Sequence, residues 1–209
     1  MYTETQREIL ASVEAWVRQT LDQAGSTTHG WLHTDRVRRH IRLLARAEGV
    51  DPLLAELAAL LHDVGRSQAG PEAEHGARSA ALAAPLLAQF PLSDEDRATV
   101  LHAICWHNSS RDDSLLLCVL RDADMLDGLG AIGIVRAFMS RGDLPPYDAD
   151  APFDEEDRWP ARYSSDQLRG QMKWYEWLNT ATARDMAAQR IRFMRAFVAQ
   201  AREELTQDD

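Results

Sequence analysis

The chain has 209 residues, 45% of them hydrophobic, which suits one domain with a real core. Its formal net charge of −10 argues against long nucleic acid as the main partner, because phosphate backbones need clustered Lys and Arg; a small phosphorylated substrate, neutralised locally by a metal ion and a few arginines, stays open. There is no 18-residue apolar run for a membrane span, MYTETQREIL lacks the basic start and apolar middle of a signal peptide, and Cys105 and Cys118 read as reduced thiols, so the expected location is cytoplasmic.

Helical periodicity recurs almost throughout, and no alternating strand stands out. The expected architecture is all-α: a single domain over 1–209, a helical bundle of about eight to nine helices with core motifs in 25–140, one long Pro-rich loop at 141–164 and C-terminal helices over 165–206. Residues 3–24 read as a first helix, with Ile9, Val13, Trp16, Val17 and Leu21 on one stripe. After a loop at 25–31, a second helix runs over 32–48 and stops at Gly49. Asp51-Pro52 is an N-cap with a first-turn proline, and the helix it starts is apolar nearly all round, with Gly65 as the expected C-cap. A polar loop at 66–74 follows, then helices at 75–89, 93–107, 113–120, 121–140, 165–179 and 182–206. Pro85 should kink or interrupt the fourth helix, and Ser93 with Asp96 resembles a capping box.

Chemistry concentrates where polar groups meet apolar stripes. His33 heads the stripe of Val37, Ile41 and Leu44 on the second helix. His62 and Asp63 end the apolar third helix, where an isolated carboxylate would be costly to desolvate and a cation would serve both side chains. Asp124 and Asp127 share a face that continues as Ala131, Ile134, Val135 and Phe138, whereas Asp122 falls about 200° from Asp124 on the wheel. Two imidazoles and two carboxylates make a mixed donor set suited to Mn²⁺, Mg²⁺, Fe²⁺ or Zn²⁺, with Co²⁺ and Ni²⁺ as further options.

HTDRV at 33–37, ALLHDVGR at 59–66 and RDADMLDGLGAIGIVRAF at 121–138 stand in the order H…HD…D. This pattern resembles the HD superfamily of metal-dependent phosphohydrolases, and within it the small single-domain bacterial proteins of the YpgQ/YedJ type. The C-terminal segment from Gln171 to Leu205 is similar to the same subgroup. The resemblance implies an all-α fold, a divalent ion held by His33, His62, Asp63 and Asp124, and hydrolysis of a phosphate ester or anhydride. The subgroup implies cleavage of nucleoside triphosphates to monophosphate and pyrophosphate.

Around this set, Asp63 can also accept a proton, and His75 and His107, each on an apolar stripe, are expected to steady a phosphate, move a proton or hold a second metal. Asp127 either orients a ligand or pairs with an arginine. Arg36, one turn from His33, Arg66, directly after the HD motif, and Arg190, on the stripe of Met186, Met194 and Phe197, are candidate phosphate contacts. His29 precedes Gly30 in a loop near the site mouth, while His40 and His102 read as ordinary residues. The expected partner is a nucleotide, and a homodimer is compatible with the sequence. Two alternatives stand: a nucleotide monophosphatase or phosphodiesterase of the same fold, and a non-catalytic, nucleotide-sensing helical module.

Overall fold

A computed structural model describes residues 2–25, 28–109, 111, 113–154, 156, 158 and 160–206, so residues 26–27 of the first expected loop and 155, 157 and 159 of the Pro-rich loop lie outside the described residues. The described residues are all-helical, with nine α-helices, three short 3₁₀ turns and no strand. They divide into two compact units, 1–124 and 125–209. No helix among them is long and apolar enough to cross a membrane.

In the first unit, α1 (Glu4–Ala24) starts at a capping box in which the Thr3 side chain accepts from the Gln6 amide and the Gln6 side chain accepts from the Thr3 amide. Its stripe of Ile9, Val13, Val17 and Leu21 is buried. α2 (Trp31–Glu48) buries His33, Val37, Ile41 and Leu44 on one face and ends at Gly49. α3 (Pro52–Leu61) is capped by the Asp51 carboxylate, which accepts from the amides of Leu53 and Leu54. Leu57, Leu60 and Leu61 on α3 are almost wholly inaccessible, and burying each such side chain stabilises the fold by about 1.5–3 kcal/mol. α3 packs against α1, α2 and α5, so it is the central helix of this unit.

Gly65 does not cap α3. The helix ends at Leu61, and Gly65 lies buried in a 3₁₀ turn, Val64–Ser67. A Cβ there would come 2.4 Å from the His75 carbonyl oxygen and the Ser79 amide nitrogen, so only glycine lets this turn approach α4 (His75–Leu87). The Ser79 hydroxyl accepts from the Gly65 amide and fixes the approach. Pro85 sits inside the last turn of α4 without ending it: its ring nitrogen cannot donate to the Ala81 carbonyl, yet the helix runs on to Leu87. α5 (Asp94–Trp106) starts where the Ser93 hydroxyl accepts from the Asp96 amide, one arm of the expected capping box.

The expected break between residues 120 and 121 is absent. α6 (Leu115–Asp127) runs through it, and the next helix, α7 (Ala131–Ser140), follows Gly130 at φ 85°. Asp124 and Asp127 therefore end one helix rather than head the stripe of another, and Val135 of α7 is 52% exposed. In the second unit, α7 packs on α8 (Ser164–Met172) and α9 (Ala181–Thr206), and a 3₁₀ turn spans Lys173–Trp177. No helix occurs among the described residues of 141–163.

Candidate metal centre

Three segments of the first unit deliver the four ligands anticipated for an ion. His33 sits in the first turn of α2 with its side chain 1% exposed. His62 and Asp63 follow the last residue of α3 and are 0% and 2% exposed. Asp124, on α6, keeps about a third of its side chain exposed, so the cluster opens to solvent there.

Their donor atoms converge. His33 Nε2 lies 3.2 Å from His62 Nε2, 3.5 Å from Asp63 Oδ2 and 3.4 Å from Asp124 Oδ1, and His62 Nε2 lies 3.6 Å from Asp63 Oδ2. Neighbouring ligands on an ion with bonds of about 2.1 Å stand roughly 3.0–3.4 Å apart, so this is the spacing of side chains that share a cation. His62, with His33 and Asp124, can hold a metal ion, as can His62, Asp63 and His107, or His29, His33 and Asp63.

Backbone carbonyls set the ring orientations. His62 Nδ1 lies 2.8 Å from the Ala59 oxygen, His75 Nδ1 2.7 Å from the Glu72 oxygen and His107 Nδ1 2.7 Å from the Ile104 oxygen. A carbonyl only accepts, so each Nδ1 carries the proton and each Nε2 of a neutral ring turns a lone pair inward. His75 Nε2 and His107 Nε2 nevertheless stand 3.0 Å apart. Arg66 Nη2, 3.2 Å from His75 Nε2, brings a cation to that pair, whereas His33 Nε2 and His62 Nε2, 3.2 Å apart beside the Asp63 and Asp124 carboxylates, belong to the donor set that fits a metal ion.

Charge follows the same geometry. Burial pushes the His62 imidazole down to about 4, against the opposing pull of Asp63 and Asp124, so the ring is neutral near pH 7. Burial alone would raise the Asp63 carboxyl; His62 and contacts from His107, His29 and His33 outweigh it and hold Asp63 well below the usual carboxylate range. Asp124 is likewise lowered, burial being overcome by His33 and His62. Burial lowers His75, reinforced by Arg66 and His107.

Asp63 divides its two oxygens. Oδ2 faces His33, His62 and His29, whose Nδ1 is 2.8 Å away. Oδ1 accepts from Arg66 Nε at 2.8 Å and faces His75 Nε2 at 3.3 Å and His107 Nε2 at 3.7 Å. His29 thus touches the central carboxylate rather than only the mouth. Its spacing of four from His33 was the available signal, masked by the intervening glycine.

The remaining candidates are placed less centrally. Arg36 is half-buried on α2, one turn from His33. Asp127 and Arg190 belong to the second unit, where Asp127 pairs with Arg136 and Arg190 Nη1 donates to the Leu126 carbonyl at 2.5 Å. Asp122, set aside by the wheel, is 0% exposed. His40 Nδ1 lies 3.2 Å from the Ala123 carbonyl, and His102 pairs with Asp113 at 2.9 Å.

Known proteins match both sequence and fold. The HD domain model matches residues 30–129. YpgQ of Bacillus subtilis is 31% identical over 196 residues, covering 90% of this chain and 89% of YpgQ. The crystal structure of YpgQ in complex with ADP superposes with a TM-score of 0.74 at 26% identity, covering 96% of both chains. An HD-superfamily hydrolase from Bacillus thuringiensis superposes with a TM-score of 0.75 at 28% identity, covering 98% of this chain and all of its own.

Proposed function

The chain belongs to the HD domain family, and from that premise we propose that it is a metal-dependent phosphohydrolase that cleaves ribo- or deoxynucleoside triphosphates to the monophosphate and pyrophosphate. The observation that carries the reading is the convergence of His33 Nε2, His62 Nε2, Asp63 Oδ2 and Asp124 Oδ1 in one partly open cluster. A nucleotide substrate is supported by the relative YpgQ, whose crystal structure contains ADP.

His33, His62, Asp63 and Asp124 would hold a divalent ion, Mn²⁺ or Mg²⁺ first among the options. Such an ion supplies Lewis-acid charge that polarises a phosphoryl oxygen and acidifies water. The remaining work falls to the chain's own side chains. Attack of water on the α-phosphorus breaks the bond to pyrophosphate and releases a proton. His107 Nε2, with its lone pair turned inward, is positioned to take it. Asp63 anchors the cluster and offers a second acceptor. Arg66, seated on Asp63, and Arg36 add positive charge for the phosphates.

The test is turnover of nucleotides with Mn²⁺, Mg²⁺, Co²⁺, Ni²⁺, Fe²⁺ or Zn²⁺, reading pyrophosphate against orthophosphate. Pyrophosphate release that Asp63→Ala abolishes, in a variant with unchanged helical circular dichroism, is the expected result. Full activity in that variant sinks the assignment. Orthophosphate from monophosphates, or cleavage of diesters, would point to the monophosphatase or phosphodiesterase reading. Tight nucleotide binding without turnover would point to a sensor.

A further inference from the structure

Asp63 stands between two triangles of donor atoms. On one side, Oδ2, His33 Nε2 and His62 Nε2 have edges of 3.5, 3.6 and 3.2 Å. On the other, Oδ1, His75 Nε2 and His107 Nε2 have edges of 3.3, 3.7 and 3.0 Å. By donor type and spacing, the second triangle is as able to hold an ion as the first. What separates them is Arg66. Its Nε donates to Asp63 Oδ1 at 2.8 Å, its Nη2 donates to His75 Nε2 at 3.2 Å, and its Nη1 pairs with Glu72. The side chain is only 18% exposed, and its guanidinium is permanently protonated.

The imidazole chemistry makes these contacts exclusive. His75 Nδ1 is committed to the Glu72 carbonyl, so its Nε2 has a single lone pair. That lone pair cannot accept from Arg66 and bind a metal together. A divalent ion on Oδ1 would also face the guanidinium at close range, with little solvent to screen the repulsion.

We infer that Arg66 is a built-in substitute for a second metal ion on Asp63, His75 and His107, so that the loaded centre carries one ion per chain. The inference rests on the metal reading above and deepens it. With no second ion on it, His107 Nε2 stays free to move a proton.

Stoichiometry tests this without recourse to activity. The full chain is loaded with Mn²⁺, freed of excess by gel filtration, and assayed for Mn²⁺ per chain and for the exchange-coupled paramagnetic resonance signal of two ions sharing one carboxylate. The expected result is one ion and no coupling in the wild type and in Arg66→Lys, which keeps the charge. Arg66→Ala and Arg66→Gln should take two coupled ions, and adding His107→Ala to Arg66→Gln should return the count to one. Two ions in the wild type, or one in both charge-removing variants, overturns the inference and leaves the metal reading intact. A wild type that binds no Mn²⁺ overturns both.

Discussion

Two carboxylates are buried along α3 and just past it, and their surroundings solve the problem in opposite ways. Near the middle of the helix, Glu56 is 0% exposed and saturated by permanent donors: Arg38 Nε and Arg42 Nη2, each at 2.6 Å, and the Tyr2 hydroxyl at 2.5 Å. Arg38 also reaches Glu14 at 2.6 Å. Just past the helix end, Asp63 meets one arginine and five imidazoles, and the imidazoles are only conditional cations near neutral pH. A carboxylate held by guanidinium groups is a closed structural knot. A carboxylate ringed by lone pairs remains able to take a cation from solution, and that difference marks which of the two carries function.

Breaking the surroundings of each carboxylate should give a different phenotype. The largest effect belongs to Asp63→Asn, which should cut nucleotide turnover by roughly four powers of ten, or about 5.5 kcal/mol at 1.36 kcal/mol per tenfold. Steady-state kinetics checks it, and a loss under tenfold would contradict it. Next, Arg38→Ala leaves Glu56 with one guanidinium fewer and should cost about 3 kcal/mol of stability, or roughly 6–12 °C in Tm for a chain of this size. Turnover per folded molecule should hold. Gly65→Ala should cost about 2 kcal/mol, because the new methyl group collides with backbone of α4. Thermal denaturation measures it, and a neutral result would mean the turn can move away from His75.

A smaller effect sharpens the contrast by pH. The Glu56 carboxyl is lowered from 4.5: burial would raise it, but hydrogen bonds from Arg42, Tyr2 and Arg38 prevail. The unfolded chain therefore takes up the proton first as pH falls, so this contribution is complete above pH 4.5 and lost below it. The Tm gap between wild type and Glu56→Gln should narrow as pH drops from about 6 towards about 4. A gap that widens over that range would contradict the assignment.

Much of this site is legible in the sequence because apolar periodicity reveals exceptions to itself. His33 interrupts nothing else on a buried stripe, and His62-Asp63 ends a run that has no other polar residue after Glu56. Groups that reach the centre from turns were harder to place. His29 lies beyond a glycine, and the contacts of Arg66 depend on a 3₁₀ turn whose approach to α4 is set by Gly65, a steric fact that periodicity does not register. The same blindness hid the break between α6 and α7. Apolar spacing continues across it, and the interruption comes from Gly130 in a backbone region that other residues avoid.

The most direct measurement compares Mn²⁺ uptake by the wild type, Asp63→Asn and Glu56→Gln, followed through loss of the free-ion paramagnetic resonance signal. Each variant removes one carboxylate charge from the same stretch of chain. Wild type and Glu56→Gln should bind the ion alike, with Glu56→Gln lower in Tm, while Asp63→Asn should lose tight binding. Equal uptake by the two variants would contradict the assignment of the ion to Asp63.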